Sequence, residues 1–181
     1  CSSDLKLPTI ANIAQKIRGS ELNTNDPPIN LKAEAVLDPI IRLNELIYNP
    51  DITPTAILLT GATGFLGSFL LYELLQQTQA DIYCLVRAAN IESGKQRIQN
   101  SLESYLLSNE SFSTRIIPII GDLSQPLLGL AEADFQLMAT QIDIIYHNGA
   151  LVNFTYPYQT LKKSNVLGTQ EILRLASQVK L

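Results

Sequence analysis

Cysteine, histidine and positive charge are all scarce in this 181-residue chain. Two cysteines, Cys1 and Cys84, cannot build a disulfide framework, and one histidine with two distant cysteines does not make a zinc centre. The lone His147 lacks the companions of a nucleophilic triad, and no Gly-x-Ser-x-Gly elbow occurs. Thirteen Lys and Arg against seventeen Asp and Glu leave a net charge of −4. That balance argues against a nucleic-acid partner, which calls for clustered cations. Only 17% of residues are charged and 46% are apolar, a globular composition that excludes wholesale disorder. There is no internal repeat and no low-complexity tract. Nucleotide binding survives all of these exclusions.

A membrane span is mimicked once, by the uncharged run Ile52–Tyr72. Pro54 and the cluster Gly61, Gly64 and Gly67 suit a buried strand, a tight turn and a buried helix better. No membrane partner and a cytoplasmic location are therefore expected. The chain opens Cys-Ser-Ser-Asp rather than with Met, which reads as a fragment end, with a lipoprotein's mature start as the alternative.

Six of nine prolines precede residue 55, and apolar runs alternate with helical patterns after it. Before that boundary, Thr9 can cap a short amphipathic helix through Ile17, Gly19–Pro28 reads as linker, and Leu31–Leu37 as a short helix stopped by Asp38-Pro39. After it, strands are expected at Ala56–Leu59, Ile82–Val86, Arg115–Ile120 and Ile142–His147. Helices are expected at Gly67–Gln77, Ile91–Leu107, Leu130–Ala139 and Leu161–Val179. Pro118 is awkward for an interior strand. This alternation calls for an α/β fold with a parallel, doubly wound sheet of the Rossmann type, carried through four strand–helix units behind a helical N-terminal appendage.

Thr60-Gly61-Ala62-Thr63-Gly64-Phe65-Leu66-Gly67 lies where the first strand meets the first helix. Gly61 permits the tight turn, Gly64 lets a pyrophosphate approach the backbone, and Gly67 lets the helix close on the sheet. The helix N-terminus supplies N–H groups and a positive dipole end. The second strand ends in Arg87, where an acidic residue would select NAD(H). A guanidinium there pairs with a 2′-phosphate, which favours NADP(H). Asp122 follows strand three and either accepts from the adenine amino group or caps a turn. Asn148-Gly149-Ala150 follows strand four, where small residues leave room for ribose and nicotinamide. Cys84 reads as a small core residue rather than a reactive thiol.

With these segments, and with Ala33–Asp38, His147–Phe154 and Asn165-Val166-Leu167-Gly168-Thr169, the chain resembles the extended short-chain dehydrogenase/reductases. More narrowly, it resembles the thioester reductase domains of nonribosomal peptide synthetases and carboxylic acid reductases. Leu7–Ala14 resembles the last helix of a peptidyl carrier domain. The resemblance implies a carrier tail over 1–18, a linker over 19–54 and an incomplete NADP-binding domain over 55–181. It implies that Gly61, Thr63, Gly64, Phe65, Leu66 and Gly67 hold the pyrophosphate, and Arg87 and Arg97 the 2′-phosphate. Asp122 and Leu123 would flank the adenine, Gly149 and Ala150 the ribose, and Asn165 the supporting helix position. The implied reaction is NADPH-dependent release of an acyl or peptidyl chain from a phosphopantetheine carrier domain as an aldehyde or alcohol. The family's Thr/Ser and its Tyr-x-x-x-Lys come after the Asn165 helix, so no catalytic residue is assigned here, and the chain alone is expected to be inactive. Tyr158-x-x-x-Lys162 has the spacing but lies upstream of that place. The alternatives are a non-catalytic NADP(H)-binding or carrier-docking module and part of a fatty acyl reductase.

Overall fold

The structure, a computed structural model, describes residues 29–42, 53–107 and 110–178. The expected helix over Thr9–Ile17 and the linker before Ile29 lie outside these residues. The chain divides between Val36 and Leu37 into two compact units. In the first, the described helix is a single turn, α1 (Leu31–Glu34), shorter than the expected segment through Leu37. The Asn30 side chain caps it by accepting from the Ala33 N–H at 3.2 Å.

Leu37–Arg42 groups with the sheet unit. Arg174 explains this in part, because its guanidinium meets the Asp38 carboxylate at 3.2 Å across 136 positions of sequence.

The sheet unit runs β1 (Ala56–Thr60), α2 (Phe65–Gln77), β2 (Asp81–Val86), α3 (Ile91–Ser104), β3 (Ile116–Ile120), α4 (Glu132–Gln141), β4 (Ile144–His147), α5 (Tyr158–Lys162) and α6 (Gly168–Ala176). A 3-10 turn, Glu110–Arg115, leads into β3, and a second, Pro126–Gly129, precedes α4. All strand pairs are parallel in the order β3-β2-β1-β4. The chain steps outward from β1 and then returns to its other side, so the order reverses between β1 and β4. This is the doubly wound arrangement that the alternation called for.

All five residues of β1 are buried because both sheet faces are covered. Ile57 and Leu59 join a core with Leu71 and Leu75 of α2 and Ile98 and Leu102 of α3. Ala56 and Leu58 join the opposite core, with Phe135 and Met138 of α4 and Ile172 and Leu175 of α6. Side chains alternate across a strand, so two cores require an uninterrupted apolar run. The uncharged stretch that mimicked a membrane span is thus β1, a turn and α2. Among the described residues no helix is long and apolar enough to cross a membrane.

Several boundaries move from those expected. The helix α3 stops at Ser104 because Leu106 turns left-handed (φ 60°), and Leu107 N–H closes on the Leu102 carbonyl at 2.9 Å. Helix α4 starts and ends two residues later than expected, and β4 starts two later. The closing helix starts earlier, at Tyr158, and passes through a π turn, Lys163–Leu167, before α6. Pro118 is accommodated because β3 is an edge of the described sheet, where a strand needs N–H donors toward one neighbour only.

Arg115 closes the far end of α2. Its guanidinium donates to the carbonyls of Leu75, Thr78 and Ala80 and lies 5.6 Å from the Phe112 ring centre. These carbonyls sit at and just past the negative end of the helix dipole, and α2 has no basic residue in its own last turn. Arg115→Ala is expected to cost about 2 kcal/mol, read as a lower denaturant midpoint at unchanged m-value. Equal midpoints would show the bonds to be dispensable.

Candidate functional site

The register brings four chain segments to one edge. Thr60 stands opposite Leu85 on one side and His147 on the other, and Val86 stands opposite Ile120. The residues that follow these strand ends are Gly61, Arg87, Gly121-Asp122 and Asn148-Gly149. The sequence-derived site residues therefore meet at the carboxyl edge of the sheet, around the β1/β4 reversal where open α/β sheets form a crevice.

The glycines of the first turn divide by role. Gly61 has φ +73°, and a Cβ there would lie 2.8 Å from the Gly149 Cα. A Cβ on Gly67 would fall inside the Gly61 carbonyl group, with its carbon 2.7 Å away. Both are demanded by the fold. At Gly64 the backbone is extended (φ −92°, ψ 170°), and a Cβ would meet nothing closer than the Gly61 carbonyl oxygen at 3.4 Å. The fold alone gives no reason for glycine at this exposed position.

Gly64 is also the N-cap of α2 and offers no side-chain cap. The next helix is closed differently: Asn90 and Ser93 cap α3 reciprocally, with the Ser93 N–H donating to Asn90 Oδ1 at 2.8 Å. At α2 the N–H groups of Phe65, Leu66 and Gly67 face outward from the first turn without intrahelical acceptors. Phe65 is 68% exposed and Leu66 59%, and the Phe65 ring packs on Phe69 and Tyr105 at 5.3 and 5.6 Å. These N–H groups are open to an anion. Ser68 braces the turn from behind, bonding the carbonyls of Ala62 and Gly64 and the Ser101 hydroxyl of α3.

Past β2, Arg87 and Arg97 stand together and exposed, the Arg97 Nη1 donating to the Arg87 carbonyl at 2.7 Å. Past β3, Asp122 adopts the turn-capping alternative with Oδ1, which accepts from the Ser124 N–H at 2.8 Å. Its own N–H donates to the Leu128 carbonyl within a left-handed turn over Leu127, Leu128 and Gly129. Such backbone is unfavourable for leucine, and burial of Leu128 in the core offsets the cost. Leu123 fills the space between strand four's loop and α6. A Cβ on Gly149 would lie 2.7 Å from its Cδ1, and one on Gly168 2.5 Å from its carbonyl oxygen.

Past β4, Ala150 is exposed between two anchored neighbours. Gly149 N–H donates to Thr60 Oγ1 at 2.9 Å, and Leu151 is clamped on both backbone groups by the Asn165 carboxamide at 2.8 and 3.0 Å. Asn165 sits in the π turn, a geometry frequent at functional sites. Thr60, His147 and Thr169 form a hydrogen-bonded row here that sequence reasoning missed. The available signal was a hydroxyl ending an otherwise apolar buried strand. Burial disfavours the imidazolium and holds the His147 ring below its ordinary pKa. Cys84 is fully buried, and burial pushes its thiol up to about 12, consistent with an inert core residue. Tyr158 and Lys162 occupy the first and last positions of α5.

Comparisons with known proteins identify relatives of this chain. The profile of the family NAD_binding_4, described as Male sterility protein, matches residues 59–181. A linear gramicidin synthase component from Brevibacillus parabrevis is 51% identical over 180 residues, covering 96% of this chain and 4% of that protein. The terminal R domain of the myxalamid PKS-NRPS biosynthetic pathway superposes with a TM-score of 0.80 at 54% identity, covering 83% of this chain and 38% of that one. A thiolation-reductase di-domain from an archaeal nonribosomal peptide synthetase gives 0.55 at 33% identity, over 70% of this chain and 27% of that one. The chain thus spans well under half the length of each of these relatives.

Proposed function

Because the chain belongs to the NAD_binding_4 (Male sterility protein) family, we propose that its sheet edge binds NADP(H) for a thioester reductase acting on a carrier-bound chain. The observation that carries the cofactor is Gly64. It is a glycine without a structural need, at the uncapped N-terminus of α2, and it leaves backbone open to a pyrophosphate. Gly61, Thr63 and Gly67 shape that turn, with the N–H groups of Phe65 and Leu66 beside it. Arg87, with Arg97 bonded to its carbonyl, takes the 2′-phosphate. Asp122 and Leu123 flank the adenine, and the anchored loop Gly149–Leu151, held by Asn165, seats the nicotinamide ribose.

When bound, NADPH supplies hydride to a thioester carbonyl, so that thioester, NADPH and a proton become aldehyde, thiol and NADP⁺. This chain's own contribution is to bind and orient that cofactor. Two features of the relatives support a phosphopantetheine carrier domain as partner: one belongs to a gramicidin synthase, and one is a thiolation-reductase di-domain.

Calorimetric titration with NADPH and with NADH, beside a thermal melt, tests the reading. Tighter binding of NADPH by roughly tenfold or more is expected, the value of a paired 2′-phosphate. Absence of binding by a cooperatively melting chain would remove the cofactor site.

A further inference from the structure

Five hydrogen-bonded links join the two ends of the loop at Ala150, and they pass through four separate elements. The Gly149 N–H donates to Thr60 Oγ1 at 2.9 Å. Thr60 Oγ1 lies 2.8 Å from His147 Nδ1, and His147 Nε2 lies 3.2 Å from Thr169 Oγ1. The Thr169 hydroxyl donates to the Asn165 carbonyl at 2.7 Å, and the Asn165 carboxamide clamps Leu151. The path starts on residue 149 and ends on residue 151, through β1, β4, α6 and the π turn ahead of it.

Chemistry sets the direction of every link. A backbone N–H only donates, so Thr60 Oγ1 accepts from Gly149. Thr60 is completely buried, and among the described residues its hydroxyl proton has one acceptor, His147 Nδ1. The ring proton must then sit on Nε2, where it donates to Thr169. Thr169 has its own proton committed to the Asn165 carbonyl, so it accepts. The row is complete for neutral imidazole in the Nε2–H tautomer alone. Burial disfavours the imidazolium in the same sense. Imidazole is the side chain that accepts at one nitrogen and donates at the other across this gap.

We infer that His147 is a positioning residue: through Thr60 and Thr169 it fixes the Gly149–Leu151 loop, and with it the seat of the nicotinamide ribose. The inference rests on the cofactor reading above. Its signature is selectivity for one half of the dinucleotide. The glycine turn and Arg87 bind the phosphates and adenosine without using the row, whereas the loop at Ala150 depends on it.

The experiment compares wild type, His147→Phe, His147→Asn and Thr169→Val for binding of NADPH and of 2′,5′-ADP, which lacks the nicotinamide ribose. Thr169→Val keeps shape and breaks the row at a distance from the loop. His147→Asn keeps an acceptor for Thr60. NADPH should bind roughly tenfold more weakly to the Phe and Val variants, with partial recovery in the Asn variant, while 2′,5′-ADP changes by less than about twofold. Equal losses for both ligands, or undiminished NADPH binding, would overturn the assignment. Nitrogen-15 spectra of the wild-type imidazole decide it independently of how the variants fold. A protonated Nε2 and bare Nδ1 are expected, and the opposite tautomer would refute the row. If wild type bound neither ligand, the cofactor reading itself would fall.

Discussion

Gly67→Ala is expected to unfold the sheet unit, while the identical change at Gly64 leaves it folded and unable to hold a dinucleotide. The new methyl at 67 would occupy the Gly61 carbonyl, which cannot retreat because Gly61 itself abuts the Gly149 backbone. Relief requires α2 to lift from β1, opening the core around Leu71 and Leu75. We expect a loss of about 4 kcal/mol or more, a size reserved for overpacked cores and strained backbone. At Gly64 the methyl meets ordinary van der Waals distance and an accessible backbone conformation. Its melting midpoint should stay within about 3 °C of wild type, a cost of at most about 1 kcal/mol. NADPH affinity should nevertheless drop by roughly tenfold or more, because the pyrophosphate would meet a methyl where it needs bare backbone. Thermal melts and calorimetry on the pair separate the two roles. A folded Gly64→Ala protein with intact NADPH affinity would overturn the phosphate turn, and a stable Gly67→Ala protein would overturn the packing argument.

The second large effect is expected at Arg87. Removing its guanidinium should weaken NADPH by roughly 10- to 100-fold, the value of a bidentate charge-assisted pair, and leave NADH within about twofold. Arg97→Ala should act in the same direction and less, since Arg97 bonds the Arg87 carbonyl and stands beside the same strand end. Competition by free 2′-AMP against NADPH gives an independent reading of the same subsite. If Arg87→Ala weakened NADPH and NADH equally, the guanidinium would be serving the loop rather than the phosphate, and the preference for NADP(H) would lose its support.

Much of this was legible in the residues because it is local. Alternating apolar runs, the glycine turn between β1 and α2, and Arg87 at the end of β2 are patterns within a few residues of one another, and periodicity reports them. The parallel direction of the strands followed, since strands separated by helices are joined by crossovers. Boundaries were less legible where local geometry cut across the apolar pattern. Leu106 ends α3 by turning left-handed although apolar residues continue, and Pro118 was awkward until β3 proved to be an edge among the described strands.

By itself, then, the amino-acid sequence determined the fold class, the parallel sheet and the glycine turn with its neighbouring cation, because each follows from short-range periodicity and turn chemistry. Tertiary structure alone decided which glycine the fold requires and which it leaves open, since that depends on how closely Gly61, Gly67 and Gly149 approach. It alone joined Thr60 to His147 across 87 positions, His147 to Thr169 across 22, and Arg115 to the end of α2. Hydrogen bonds act over about 3 Å of space whatever the separation along the chain, so such partners become visible only when the sheet sets strand beside strand.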